Sequence, residues 1–513
     1  MSFSLEVNPY LVLAFLGMCV VFIYRYMVET YSTLEKLGIP GPKPVWIFGN
    51  VLEFKGKNVL HVFDDWKKKF GDVYGFYEGF RPGIVVNDVD FARDILNRHF
   101  EKFYIRTSYR PFVYYPDNLR LIEIDGEHWK NQRAVLNKLL NSTGILKQVV
   151  QKMRISSNRM LHQMSEELKN AKENEGINIS KVIDSYVSEG VMRIVLDMDE
   201  EQLAKHHDSI YNYEIASNWS ASAENEASGL ARLFPSLTPL LKLADKKHRE
   251  SHEEVVNILR EYLNNTLTGQ NNNKLKDGDH VSLLSFLLSS KVLSRDIDGS
   301  LFRRGLTTDE TIAHITSFLS EMYSTTTAAI QFILYELACN QHCQDKLYDE
   351  IHRICGKDGN FSLAELQKLE YLDMLFSETY RHHPVAPGLS RVCSESCTIR
   401  GVTFKKGMVV RVMTSPMYND EQLFQDPDKF IPERFARQNR LESNQYSFLP
   451  FGQGPRMCPG QKLAMIKVKT AIIDIIRNYT LTTCKNTEIP LKEALRPSLT
   501  PANGVCITMS RRF

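Results

Sequence analysis

The chain has 513 residues, of which 43% are apolar and 24% charged, with 20 Pro and 27 Gly. That mix excludes a disordered, collagenous or wholly membrane-embedded polypeptide, and the length is ample for a large core. A formal net charge of +2 removes the electrostatic case for a dedicated nucleic-acid binder; nine cysteines, sparse and odd in number, argue against a disulfide scaffold and for a reducing compartment.

The first element is apolar. Val7 to Tyr24 carries no charge and is dominated by LVLAFLGMCVVFIY. As helix it spans about 27 Å, close to a hydrocarbon core of roughly 30 Å. No Lys or Arg precedes the run and no small-residue cleavage site follows it, so residues 1–25 read as a retained anchor rather than a signal peptide. Glu6 is the only charge before the run, whereas Arg25, Lys36 and Lys43 follow it. The positive-inside rule then puts the short amino terminus in the lumen and the body in the cytosol. The sequons at Asn141 and Asn218 would face the wrong side for glycosylation. Residues 26–44 form a hinge that ends in Pro40-Gly-Pro-Lys-Pro44, a stiff elbow because proline fixes φ and restricts its predecessor.

Residues 45–513 show no convincing internal boundary. β-Branched residues around 75–95, especially Gly83 to Val89, predict a small sheet region. From about 120 onward, apolar residues at three- and four-residue spacing predict helices. Leu230 to Leu243 (LARLFPSLTPLLKL) is more apolar than one buried face requires; it either dips into the bilayer surface or caps a pocket. Gly269 to Asp279 (GQNNNKLKDGD) reads as a surface loop. Thr307 with Glu310 fits a capping box at the head of the longest helical stretch, with no Pro or Gly until Gly356. Short strand-like pieces follow (Val402 to Val412), then a Pro-rich stretch, then a last helix from about Gln461. The fold class is mainly α: one large helical body, a small β-rich region and an amino-terminal transmembrane helix.

The stretch with most chemistry is FGQGPRMCPG, Phe451 to Gly460. Cys458 sits between glycine-rich turns just before a helix start, where amides and the nearby Arg456 favour a thiolate. Gly454 and Gly460 let backbone N–H groups approach the sulfur. Taken alone, the loop fits a buried structural cysteine equally well, because one cysteine cannot build a zinc site.

This stretch resembles the cysteine-loop signature F-x-x-G-x-R-x-C-x-G of the cytochrome P-450 superfamily at every fixed position. The resemblance implies the P-450 fold, haem b with Cys458 as axial thiolate, and Arg456 on a propionate. Further motifs stand in the family's order. Glu378 and Arg381 (ETYR), after EYLDM, and Arg434, in the segment Phe430 to Phe435, are similar to the family's buried ion network. Trp129 and Arg133, at i and i+4, resemble its W-x-x-x-R propionate pair. Arg391 in LSRV and Arg110 in RPF resemble two more propionate ligands, although close relatives have two arginines where this chain has Tyr109-Arg110. The resemblance runs from PGPKP to the last helix. It is greatest to the animal microsomal clan of steroid and drug hydroxylases and thromboxane synthase, which implies an endoplasmic-reticulum membrane protein.

One motif departs from the family pattern. Where members carry [Ala/Gly]-Gly-x-[Asp/Glu]-Thr on the helix over the haem, this chain has Glu321-Met-Tyr-Ser-Thr325-Thr326. Thr325 is kept, Ser324 replaces the acid, and Met322 fills the glycine's space. Glu321, one turn before Thr325, is a candidate for a replacement proton relay, with Ser324, Thr326 and solvent as the other source.

Three functions follow from the resemblance. The first is a haem-thiolate monooxygenase placing one oxygen atom of dioxygen into a lipophilic steroid, fatty acid or xenobiotic. The chain has no G-x-G-x-x-G β-α unit and no room for a flavin domain, so electrons would come from an NADPH-dependent flavoprotein reductase, or a cytochrome b-type donor. Lys130, Lys462, Lys467 and Lys469 are candidates to meet its acidic surface, or are solvated helix charges. The second is a haem-thiolate isomerase or dehydratase acting on a peroxide; the third is a haem binder with impaired turnover. The pairs Cys339/Cys343 and Cys393/Cys397 lack zinc spacing. The segments 109–115 and 216–243 are the expected pocket walls.

Overall fold

A computed structural model of the chain describes residues 9–55, 57–108, 110–170, 175–222, 224–268, 282–295, 301–356, 360–440 and 445–512. The expected loop Gly269 to Asp279, Val7 and Tyr109 lie outside the described residues.

The apolar run forms one helix, Pro9–Tyr31, whose Phe15, Leu16, Val20 and Phe22 are all exposed. Its Val12–Tyr31 portion, with mean hydropathy 1.8, is long and apolar enough to cross a bilayer. Below it, Tyr31 is packed edge-on against Tyr77, so the end of this helix rests on the first strand of the sheet.

Four strands form the main sheet. Val73–Glu78 pairs antiparallel with Arg81–Val86, which runs parallel to Val409–Met413, itself antiparallel to Gly388–Val392. The expected sheet region thus ends earlier than the β-branched pattern suggested. Asp88 accepts a hydrogen bond from the Phe91 amide and caps a short helix, so Val89 starts that helix instead of extending a strand.

The helical body is built around Thr308–Cys339. Thr307 and Glu310 make both bonds of the capping box expected from the sequence. The helix is buried nearly all round, which its apolar and small residues permit, and it packs on Ser180–Leu196, Glu200–Ala221, Glu370–His382 and Gln461–Asn478. The long stretch is two helices, not one. Asn340 leaves helical geometry, its side-chain amide donates back to the Glu336 carbonyl, and Gln341–Cys355 begins anew. The last helix, Gln461–Asn478, starts where the sequence placed it.

Candidate functional site

Cys458 ends a tight loop. Its N–H donates to the Phe451 carbonyl at 2.8 Å, and the Met457 amide bonds Gly454 O at 3.0 Å. Gly454 has φ +77°, and a Cβ there would stand 2.0 Å from Leu96 O, so only glycine lets the loop lie against that chain. The Phe451 ring is stacked parallel on Phe376, with centroids 5.9 Å apart. The Cys458 sulfur is accessible, yet burial is the largest influence on its thiol and pushes it up, while the Gly460 amide and Arg106 pull it down. That is the setting a thiolate ligand of a bound cofactor needs.

Above the loop is a cluster of arginines. Arg456 spreads its guanidinium over the Trp129 ring at 4.1 Å and donates to the carbonyls of Tyr104, Leu121 and Ile124. Burial, with Arg106 and Arg133 nearby, pulls Arg456 down to about 9. Burial, with Arg106 and Arg456 beside it, pushes Arg391 well below the usual guanidinium range. Arg133 is lowered by burial and Arg106, against the attraction of Cys458. Among the described residues Arg133, Arg391 and Arg456 make no ion pair, and the Nε atoms of Arg133 and Arg391 are buried without a hydrogen-bond partner. Buried like charges with unmet donors require anions from elsewhere. Two carboxylates on one planar group, beside an accessible cysteine, meet that requirement, so the residues present fit haem.

Sequence reasoning named Arg110 for this cluster, but the arginine that lies in it is Arg106. Ile105 forms a bridge with Val392, which lays Arg106 alongside Arg391; Arg106 Nη2 then donates to Arg456 O at 2.7 Å. No local motif signals a bridge to a strand so far along the chain. Arg110 turns the other way. Its Nη1 bonds the Ser217 hydroxyl and its Nη2 meets Glu321 Oε1 at 3.3 Å, so it is no part of the cluster.

On the central helix Thr325 donates its hydroxyl to the Glu321 carbonyl at 2.9 Å, and Ser324 Oγ lies 3.5 Å from Ser320 O. Thr326 Oγ1 is buried without a partner. The relay expected between Glu321 and Thr325 is therefore diverted: the alcohol bonds backbone and the carboxylate pairs with Arg110.

Glu378, Arg381 and Arg434 form one hydrogen-bonded ion network. Arg381 makes a bidentate pair with Glu378, both bonds 2.9 Å, and Arg434 Nε adds a third at 3.2 Å. Arg381 and Glu378 are fully buried, and the arginine's remaining donors reach the Tyr418 and Pro427 carbonyls. Two of the four lysines considered for partner contact are not at the surface. Lys467 is buried and donates to Met322 O at 2.6 Å; Lys469 is buried against Leu366 O and Asp373. Both stand on the core side of the last helix, which their charge disguised. Lys130 and Lys462 are exposed.

A family model described as Cytochrome P450 matches residues 39–508. The chain belongs to the cytochrome P450 family. It is 29% identical to cytochrome P450 3A18 of Rattus norvegicus over 95% of both chains. It is 30% identical to cytochrome P450 3A28 of Bos taurus over 96% of this chain and 93% of that one, and 29% identical to cytochrome P450 3A12 of Canis lupus familiaris over 97% and 96%. This P450 is a haem-thiolate monooxygenase that carries haem b on a cysteine thiolate and acts on lipophilic molecules. It takes electrons from an NADPH-dependent flavoprotein reductase, with a cytochrome b-type protein as an optional donor. The peroxide-rearranging and turnover-impaired alternatives are not favoured by these relationships.

Proposed function

We propose that Cys458 is the thiolate of this monooxygenase and that Arg106, Arg133, Arg391 and Arg456, with Trp129, hold the propionates. The observation that carries this reading is the convergence of the exposed Cys458 with the half-buried Arg133 and the buried Arg391 and Arg456, which make no ion pair among the described residues. When bound, the haem supplies iron-centred activation of dioxygen, with electron density pushed from the thiolate. The protein's part is positional and protic. Gly454 and the Gly460 amide fix the sulfur, and the Glu378–Arg381–Arg434 network braces the loop from behind. Ser324 and Thr325 carry half-buried hydroxyls on the central helix, where they hold transferable protons, while the Thr326 hydroxyl is buried.

Residues 1–25 serve as the anchor, 26–44 as the hinge and 45–513 as the catalytic body, which faces the cytosol at the endoplasmic reticulum membrane by the charge asymmetry of Arg25, Lys36 and Lys43 against Glu6. The segment 230–243 meets the same bilayer. Leu237, Leu240 and Leu243 are exposed, and an aromatic chain from Tyr26 through Phe80 to Phe234 joins this segment to the anchor helix. The reductase docks on the opposite side, where Lys130 and Lys462 are exposed near the cysteine loop.

The test is the absorption spectrum of the reduced, carbon-monoxide-bound protein. The red-shifted Soret band of a thiolate-ligated haem is expected for the native chain and lost in Cys458→Ala; its persistence in that variant would overturn the assignment.

A further inference from the structure

The last helix runs into the strand Tyr479–Thr482, which pairs antiparallel with Cys506–Arg511. The paired register ends with Thr482 opposite Thr508. Two residues further on one strand and two back on the other, that register brings Cys484 opposite Cys506 on one face of the sheet. Their sulfurs stand 3.8 Å apart. Thr487 ties the two main chains together: its hydroxyl accepts from the Cys484 N–H at 2.8 Å and donates to the Cys506 carbonyl at 2.7 Å. On its other edge Cys506 is opposite Asn178, and the chain leading into that third strand comes up against both sulfurs. The Glu175 carbonyl lies 3.2 Å from Cys484 Sγ and 3.6 Å from Cys506 Sγ, and a Cβ on Gly176 would stand 2.5 Å from Cys484 Sγ. Both cysteines are only half-buried, so a small solute reaches them. Burial, with Cys484 beside it, pushes the Cys506 thiol up to about 11, so Cys506 keeps its proton at neutral pH.

We propose that Cys484 and Cys506 are a peroxide-responsive thiol pair that closes reversibly to a disulfide. The inference draws on neither Cys458 nor the arginine cluster. A disulfide needs about 2.05 Å between sulfurs, so each sulfur has less than about 1 Å to travel. The Cys484 sulfur attacks one oxygen of hydrogen peroxide; the O–O bond breaks, water leaves and a sulfenic acid forms. The Cys506 sulfur then attacks the Cys484 sulfur, the S–O bond breaks, and the hydroxyl leaves as water with the Cys506 thiol proton. Two thiols and one peroxide thus give one disulfide and two waters, the sulfurs supplying both electrons. Two equivalents of a small thiol such as glutathione reverse the change and become its disulfide. The closed form pins both ends of the segment that carries the hairpin Glu493–Leu495 and Leu499–Pro501. That hairpin packs on the central helix, with Glu493 Oε1 2.6 Å from His383 Nδ1 and the Leu499 N–H donating to Val385 O at 2.9 Å.

The experiment uses the haem-loaded full-length chain in lipid nanodiscs. The reduced protein is treated with a small excess of hydrogen peroxide, quenched with catalase, alkylated with N-ethylmaleimide and digested with trypsin. A peptide joining Cys484 to Cys506 is expected, with the loss of both thiols to alkylation and their recovery after dithiothreitol. The bond closes a loop of 22 positions and so restricts the unfolded chain. The peroxide-treated native protein therefore melts several degrees above Cys484→Ser and Cys506→Ser treated in the same way, and neither variant forms the crosslink. In Cys506→Ser the sulfenic acid stays on Cys484, where dimedone traps it. Full alkylation of both thiols after peroxide overturns the proposal. So does a mixed disulfide or sulfinic acid on either cysteine in place of the crosslink, or a crosslink that leaves the melting temperature at that of the serine variants.

Discussion

Lys467 drives its ammonium into the core to bond the carbonyl of Met322 at 2.6 Å, joining the helix after the cysteine loop to the central helix. These two helices pack on each other and are tied at this point by a buried charge.

That charge has a cost that depends on pH. Burial pulls Lys467 down to about 7, against the attraction of Cys458 and Glu214. The folded chain binds this proton less readily than the unfolded chain, so the destabilisation is fully present below about pH 7 and fades as pH climbs toward the ordinary lysine value of about 10.4. Lys467→Met, which keeps the volume and removes the charge, raises the melting temperature near about pH 6, and the gain shrinks through about pH 9. A gain that does not vary with pH would contradict this account.

The arginine cluster gives opposite effects with and without haem. Arg391→Leu removes one of several crowded guanidinium groups, so the haem-free chain becomes more stable, by about 1 kcal/mol. On the proposed assignment the loaded protein loses a propionate partner and releases haem faster. Thermal melts of the haem-free chain and haem transfer to apomyoglobin measure the two signs.

Glu378→Gln strands Arg381 in a fully buried site with two bidentate bonds weakened. The expected loss is roughly 3–5 kcal/mol, enough to abolish accumulation of the loaded enzyme. Urea unfolding of whatever protein is recovered, with the yield of thiolate-ligated haem, checks it.

Two glycines of one loop are predicted to behave differently. Gly454→Ala puts a Cβ 2.0 Å from Leu96 O at a φ of +77°, so it should cost several kcal/mol, about 3 or more, and prevent haem incorporation. At Gly460 a Cβ would meet only the Cys458 sulfur at 4.0 Å with φ −92°, so Gly460→Ala should fold and load haem. The ratio of haem to protein after purification separates them.

Deleting residues 1–31 should leave a chain that still partitions onto vesicles through the exposed leucines of 230–243. Adding Leu237→Ser, Leu240→Ser and Leu243→Ser should release it, as flotation on a density gradient would show.

Much of this was legible in the sequence because it is local. The capping box at Thr307 and the start of the last helix lie within a few residues of their partners, whereas Glu378–Arg381 and Cys458 were singled out by their resemblance to family motifs, since spacing alone fits other pairs and other cysteines. What was not legible depends on distant chain. Arg106 takes its role from the bridge between Ile105 and Val392, and Arg110 is drawn away by Ser217 and Glu321. Lys467 and Lys469 read as surface charge because a buried lysine is rare enough that composition argues against it.

The crowding of Arg106, Arg133, Arg391 and Arg456 has a bearing on how the enzyme matures. On the proposed assignment the negative groups that settle this region arrive with the prosthetic group, so the newly made polypeptide completes itself only when porphyrin is supplied. Shortage of porphyrin in the cell would then show first as turnover of the chain, ahead of any build-up of idle enzyme.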